Sequence, residues 1–259
     1  MLDSGILNFP KLGALRASLI HAVCSVSMAL FMAALVFGFW YPFPYSEFSG
    51  GKDLFLLIMA VDVVCGPLLT LVIYNKLKPQ AELRRDIALV VIIQLLALAY
   101  GFGTVWEARP LYLVHEIDRF KVIALPDIDH DALVKLPLEL RPHFFSGPRV
   151  VSIRDPLDEQ ERDKVLFAAL QGGRDYAERP EFYLPYAKQA VRQSLTKAKS
   201  LSSFLDRYPD QTKMVDVMKK SAVSDPNNWV VFPVIAREDW VVVIDEYGEL
   251  KGFLRGDGF

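Results

Sequence analysis

Apolar residues follow two patterns along this chain, and the pattern changes at Trp106. Before it lie three long runs almost free of charge: Ala17–Phe39, Leu54–Tyr74 and Asp86–Trp106. A helix needs roughly 20 mostly apolar residues to cross the hydrocarbon core. Lipid offers no partner to an open backbone, so the runs are predicted to be three transmembrane helices within a membrane part, residues 1–106. The first run is too long for a secretory apolar region, and no small-residue cleavage site follows it. It is followed by "WYPFPYSEF", an aromatic cluster suited to the bilayer interface. Cys24 lacks a lipobox-like lead, so a lipoprotein is not expected.

After Glu107 the periods are those of a water-facing domain, residues 107–259. "LYLVHEIDRFKVIAL" and "PRVVSI" are β-branched and aromatic, and read as strands. "DPLDEQERDKVLFAALQGG" predicts a helix capped by Asp155, with Pro156 in its first turn and Gly172-Gly173 at its end. "PYAKQAVRQSLTKAKSLSSFLDRYP" predicts one helix, with Val191, Leu195, Ala198, Leu201 and Leu205 on a single face. A short helix over Thr212–Ala222 follows. Then "WVVFPVIARE", "DWVVVIDE" and "GELKGFLRG" predict a β-meander with turns at Glu238-Asp239 and Tyr247-Gly248. Pro233 predicts an edge strand or a bulge. Strand, helices, meander is the order of an α+β domain, with helices packed on a small antiparallel sheet.

Composition sharpens this division. The chain has 259 residues and is 52% hydrophobic, with the apolar excess before Trp106. Lys11 and Arg16 precede the first run; Lys76, Lys78, Arg84 and Arg85 separate the second and third; only Lys52 separates the first and second. By the positive-inside rule the N-terminus is cytoplasmic and the 107–259 domain is outside, which in a bacterium is the periplasm. That domain carries 22 Lys and Arg against 25 Asp and Glu, with mixed signs. No basic stripe marks it for nucleic acid. Both cysteines, Cys24 and Cys65, lie in the apolar runs, so the domain has no disulfide and no thiol chemistry.

The candidate chemistry sits where the apolar runs break their own rule. Asp62 lies roughly 12 Å into the second run at 1.5 Å per residue. An isolated acid there costs several kcal/mol unless it is paired or neutral. Contact with a partner and a proton-linked role compete with a protonated acid satisfied inside the bundle, with Tyr100 at similar depth. Gly66-Pro67 kinks the helix and frees the carbonyl of Val63. Gln94 can satisfy such a group, or the kink can shape a groove for another helix. Gly66, Ala88, Ala97, Gly101 and Gly103 permit close approach. His21 lies near the cytoplasmic end of the first run.

In the outer domain, "PDIDHD" (Pro126–Asp131) is similar to calcium ligation in its alternate carboxylates, but lacks the glycine and distal Glu of an EF-hand. A solvated acidic turn is the expectation. His115 reads as a packed strand residue. Tyr112, Phe144, Phe145, Trp229 and Trp240 are candidates for a contact face or for core. No catalytic motif, metal site or cofactor site is expected, and the chain is not expected to be an enzyme.

Trp40-Tyr41-Pro42 with Gly50-Gly51, "VDVVCGPLLT", "LRRD" at Leu83–Asp86, Gln94, "ALAYG", "ARP" at Ala108–Pro110 and "EIDRFKV" form a combined pattern over roughly residues 15–130. It resembles the type IV pilin accessory proteins of the TfpX/TfpZ family. The resemblance implies a bacterial inner-membrane protein needed for normal pilin levels and surface piliation, and no enzyme. A major type IV pilin is then the expected partner, beside the lipid bilayer itself. Asp62, Gly66, Pro67, Gln94, Tyr100 and His21 are the expected partner-binding residues, with His21 facing the pilin helix's own buried acid. A periplasmic ligand sensor is disfavoured by short cytoplasmic parts. A membrane-embedded pilin-modifying enzyme is the remaining class, with few spans for a glycosyltransferase.

Overall fold

The computed structural model describes residues 9–220 and 222–259. The chain runs α1 (Phe9–Leu35), continued by a π-helical turn over Val36–Trp40, then a short α2 (Tyr45–Phe48), α3 (Gly51–Ile73) and α4 (Gln80–Glu107). After these come β1 (Pro110–His115), β2 (Phe120–Ala124), α5 (His130–Lys135), β3 (Arg149–Ile153), α6 (Glu159–Leu170), β4 (Tyr183–Pro185) and α7 (Lys188–Ser194). The last elements are β5 (Lys199–Ser200), α8 (Leu201–Arg207), α9 (Thr212–Lys219), β6 (Val230–Ile235), β7 (Trp240–Ile244) and β8 (Leu250–Arg255). They form two compact units. Of the described residues, one holds 9–38 and Lys52–Trp106; the other holds Phe39–Gly51 and Glu107–Phe259.

In the first unit three helices, Leu12–Trp40, Gly51–Ile73 and Gln80–Glu107, are long and apolar enough to cross a membrane. Most of their side chains face outward, which lipid favours. The third begins six residues earlier than the apolar run, because "QAELRR" is itself strongly helix-forming. Lys78 ties this start down, with Nζ 2.6 Å from Asp86 Oδ2 and 3.6 Å from Glu82 Oε1.

The second unit is α+β, as the pattern of periods predicts. Its sheet differs from the expected small antiparallel one: it has eight strands in the order β4-β3-β1-β2-β6-β7-β8, with β5 also on β6. It is mixed, since β1 pairs with β3 and β2 with β6 in parallel. The connection through α5 returns the chain beside β1, and parallel pairing needs such a crossover. Both faces of the meander are covered. Trp240, Val242 and Ile244 pack in one core with Phe120 and Phe232; Val241 and Val243 pack in another with Phe204 and Trp229. This is why "WVVVI" is an unbroken apolar run rather than an alternating one.

Three expectations are corrected here. The cap of α6 is Asp158, not Asp155; its Oδ1 accepts from Glu161 N at 2.7 Å. The long helix from Pro185 is broken into α7 and α8, because Lys199–Ser200 pairs with β6 and Ser200 Oγ caps α8. Val191, Leu195 and Ala198 accordingly serve one core, and Leu201 and Leu205 another. Pro233 is not on an edge strand. On the side away from β7, β6 pairs with β5 at Val230 and Val231 and with β2 at Val234 and Ile235. Pro233 falls in the gap, where its missing N–H forfeits no ladder bond. Of the expected helix over Thr212–Ala222, α9 covers Thr212–Lys219, and Ser221 lies outside the described residues.

The segment after the first apolar helix is also reassigned. Trp40 and Tyr41 are fully buried and Tyr45 nearly so, all packed within the second unit. Trp40 Nε1 donates to Phe144 O at 2.7 Å, and the Arg109 guanidinium lies 5.9 Å from the Trp40 ring centre. Burial lowers the pKa of Arg109 to about 10. Tyr45 packs edge-on to Phe253, and Glu47 pairs with Arg255 at 2.7 Å. Gly50 sits at φ 72, and a Cβ there would strike Arg237; one on Gly51 would strike the Tyr41 ring.

Candidate functional site

The site is built from the residues that break the apolar rule of the first unit. α1 and α3 run antiparallel and are joined by two polar contacts. Ser18 Oγ donates to Pro67 O at 2.8 Å, and His21 Nδ1 lies 2.6 Å from Thr70 Oγ1. Ser18 and Thr70 escaped the sequence reading, though Thr70 closes the motif "VDVVCGPLLT". α3 and α4 are joined by Gln94, whose Nε2 donates to both the backbone O and Oδ1 of Asp62, each at 3.2 Å.

Gly66 makes this contact possible. A Cβ on Gly66 would lie 2.0 Å from Gln94 Nε2, so any side chain would drive the amide out. Gly101 does the same against Ile58. The remaining small residues have no such duty: Gly103 meets nothing within 4 Å, and Ala88 and Ala97 are exposed. The freed carbonyl expected at Val63 is not the one Gln94 reaches; it takes that of Asp62, one residue earlier. Nor does Tyr100 bond Asp62, because its side chain is 81% exposed.

Two grooves flank the Asp62–Gln94 pair. One, of about 410 Å³ between α3 and α4, is lined by Leu57, Val61, Asp62, Gln94, Ala97 and Tyr100 among others. The second, of about 480 Å³, brings His21, Cys24, Ser25, Asp62, Thr70 and Gln94 onto one apolar wall. The Gln94 Oε1 atom is buried and accepts no hydrogen bond among the described residues. Spaces of this size take the ridge side chains of a neighbouring helix, not a whole helix about 10 Å across. The sequence-predicted residues are thus brought together: Asp62, Gly66 and Gln94 touch, Pro67 is held by Ser18, His21 shares a groove with Asp62, and Tyr100 shares the other.

The outer candidates separate into caps and core. Asp127 Oδ2 accepts from Ala124 N, and Asp129 Oδ1 accepts from Asp131 N to cap α5. Among the described residues no group of three or more His, Cys, Asp or Glu could hold a metal ion. Tyr112, Trp229 and Trp240 are core, while Phe144 and Phe145 are partly exposed. His115 is buried against Phe120 and Phe232, and burial lowers its pKa to about 4.

Fold and site together define a class: a bundle of three membrane-type helices with a polar clasp, continuous with a mixed-sheet α+β domain. Comparison with known proteins narrows it. A family model described as "Fimbrial assembly protein FimB" matches residues 11–50. The "Fimbrial assembly protein, serogroup I" of Dichelobacter nodosus is 31% identical over 248 residues, 95% of this chain and 96% of that protein. The serogroup E1 protein of the same organism is 30% identical over the same shares. The protein of serogroups C1 and C2 is 41% identical over 120 residues, 46% of this chain and 92% of its own length. The chain belongs to the FimB family of fimbrial assembly proteins. No solved structure matches it.

Proposed function

We propose that the chain is a dedicated membrane chaperone for a type IV major pilin, acting in the manner of the TfpX/TfpZ accessory proteins. It sits in the bacterial inner membrane with its N-terminus in the cytoplasm and the sheet domain in the periplasm, as the Lys and Arg distribution indicates. Before assembly, a mature pilin waits in that membrane by one apolar helix with its head outside. The bundle holds the helix and the sheet domain holds the head. No chemistry on the pilin is required, so the protein is not an enzyme.

The observation that carries this reading is the polar clasp open to grooves on both sides. Polar side chains in apolar helices act as contacts between helices. Asp62, Gln94, His21 and Thr70 share one wall, and Gln94 Oε1 retains an acceptor for a donor from outside the bundle. A helix with a polar or acidic residue at that depth fits the wall, with His21 as its counterpart.

The test is gentle detergent purification from native membranes, with mass spectrometry of what accompanies the protein. Major pilin at near-stoichiometric yield is expected, and Asp62→Leu is expected to lower that yield at least tenfold while the protein stays folded. An Asp62→Leu protein that retains pilin fully removes Asp62 from the contact. A preparation free of pilin, with a mass change on the pilin that depends on this chain, would favour a modifying enzyme instead.

A further inference from the structure

Phe144 and Phe145 occupy the two central positions of a tight turn, closed by Ser146 N donating to His143 O at 3.0 Å. Ser146 Oγ accepts from His143 N and donates to His143 O, which locks the turn. Such positions favour Gly, Pro, Asn, Asp and Ser. Two phenylalanines there, 43% and 58% exposed, are out of place on a water-facing loop.

Their neighbours explain them. Phe39 and Trp40 are the last residues of the first apolar helix, Leu12–Trp40. Phe145 stacks edge-on to Phe39 with ring centres 5.5 Å apart, and Phe144 stacks edge-on to Trp40 at 5.3 Å. Trp40 Nε1 grips the Phe144 carbonyl, and a Cβ on Gly147 would lie 2.9 Å from Phe39 O. The last turn of a span lies where acyl chains meet headgroups, the depth at which aromatic side chains concentrate. Rings packed edge to edge on that turn share its depth.

We propose that the His143–Ser146 turn is a lipid-contact finger: Phe144 and Phe145 enter the boundary between headgroups and acyl chains beside Phe39. The sheet domain thereby holds the bilayer through a loop remote in sequence from every span. A protein could cover the same rings. Lipid is favoured because the turn is fixed to a segment that already ends in the bilayer and needs no second molecule. The inference rests on the spans alone and not on the pilin reading.

The test uses the full chain with Cys24→Ser and Cys65→Ser, reconstituted in phosphatidylcholine–phosphatidylglycerol vesicles. A nitroxide is placed at Phe145→Cys and, for comparison, at Val223→Cys, which is fully exposed. Position 145 should meet dissolved oxygen more often than a water-soluble nickel chelate, with a ratio several-fold above that at 223. Equal ratios at the two positions overturn the proposal. So does a site at 145 that is water-exposed in lipid alone and becomes shielded only when purified pilin is added. A photo-crosslinking benzoylphenylalanine at 145 keeps a ring in place and covers a misfolded cysteine variant. Adducts with phospholipid support the finger; adducts confined to pilin overturn it.

Discussion

The two units of this protein obey opposite rules, and in each the residue that breaks the local rule is the informative one. In the first, apolar side chains face outward, so burial of apolar surface contributes little to holding helix against helix. Beside a few buried apolar contacts such as Phe37 on Phe55, they are joined by sparse polar ones: Gln94 on Asp62, His21 on Thr70, Ser18 on Pro67. In the second, large apolar cores on both faces of a mixed sheet hold the fold, and polar groups face water. There the exceptions include exposed rings, Phe144 and Phe145 among them, and buried polar groups such as His115 and Asp245.

The comparison breaks first at Trp40. If the segment after the first span belongs to the sheet domain's core, Trp40→Ala costs about 3–5 kcal/mol, a typical cost for removing a buried Trp. Chemical denaturation followed through the remaining tryptophans checks this. A loss below about 1 kcal/mol would take the segment out of that core.

His115 comes next. Its pKa falls from 6.5 in the unfolded chain to about 4 in the fold because burial disfavours the charged ring. The unfolded chain therefore binds the proton first. Stability contributed by the neutral ring is complete above pH 6.5 and is lost as pH falls toward 4, by about 3 kcal/mol in all. Unfolding midpoints across that window should fall for the natural chain and stay flatter for His115→Leu. Parallel slopes would refute the assignment.

Within the bundle, Gly66→Val should cost about 1–3 kcal/mol, the range for overpacking, since its Cβ position lies 2.0 Å from Gln94 Nε2. Denaturation in mixed micelles reads this. Asp62→Leu should cost the bundle far less, because hydrogen bonds between helices in lipid average about 0.6 kcal/mol. The smallest effect belongs to the surface pair of Glu47 and Arg255: Glu47→Gln should shift stability by less than about 1 kcal/mol and by nothing at high salt.

Much of this was legible in the sequence because each unit states its rule locally. The spans, the meander and the mid-membrane Asp62 with Gln94 follow from apolar length, period and depth. What escaped reading depends on contacts far along the chain. The period through Val191, Leu195, Ala198, Leu201 and Leu205 looks continuous, yet Lys199 and Ser200 break it by pairing with Val231 and Val230 of β6. Tyr100 has the right depth for Asp62 and the wrong direction. "WYPFPYSEF" has the composition of an interface belt, and partners distant in sequence, among them Arg109, Phe144, Phe253 and Arg255, draw Trp40, Tyr45 and Glu47 into the sheet domain.

That segment also sets a timetable for synthesis. Trp40 must wait for Phe144, 104 residues later, and Glu47 for Arg255, 208 residues later. At about 5–20 residues per second, the second interval is roughly 10–40 s. Through the first half of it Trp40 lacks Phe144, and to its end Glu47 lacks Arg255. The sheet domain cannot close its core on the growing chain, so its folding is a final event, in which the last strand returns to a segment made near the beginning.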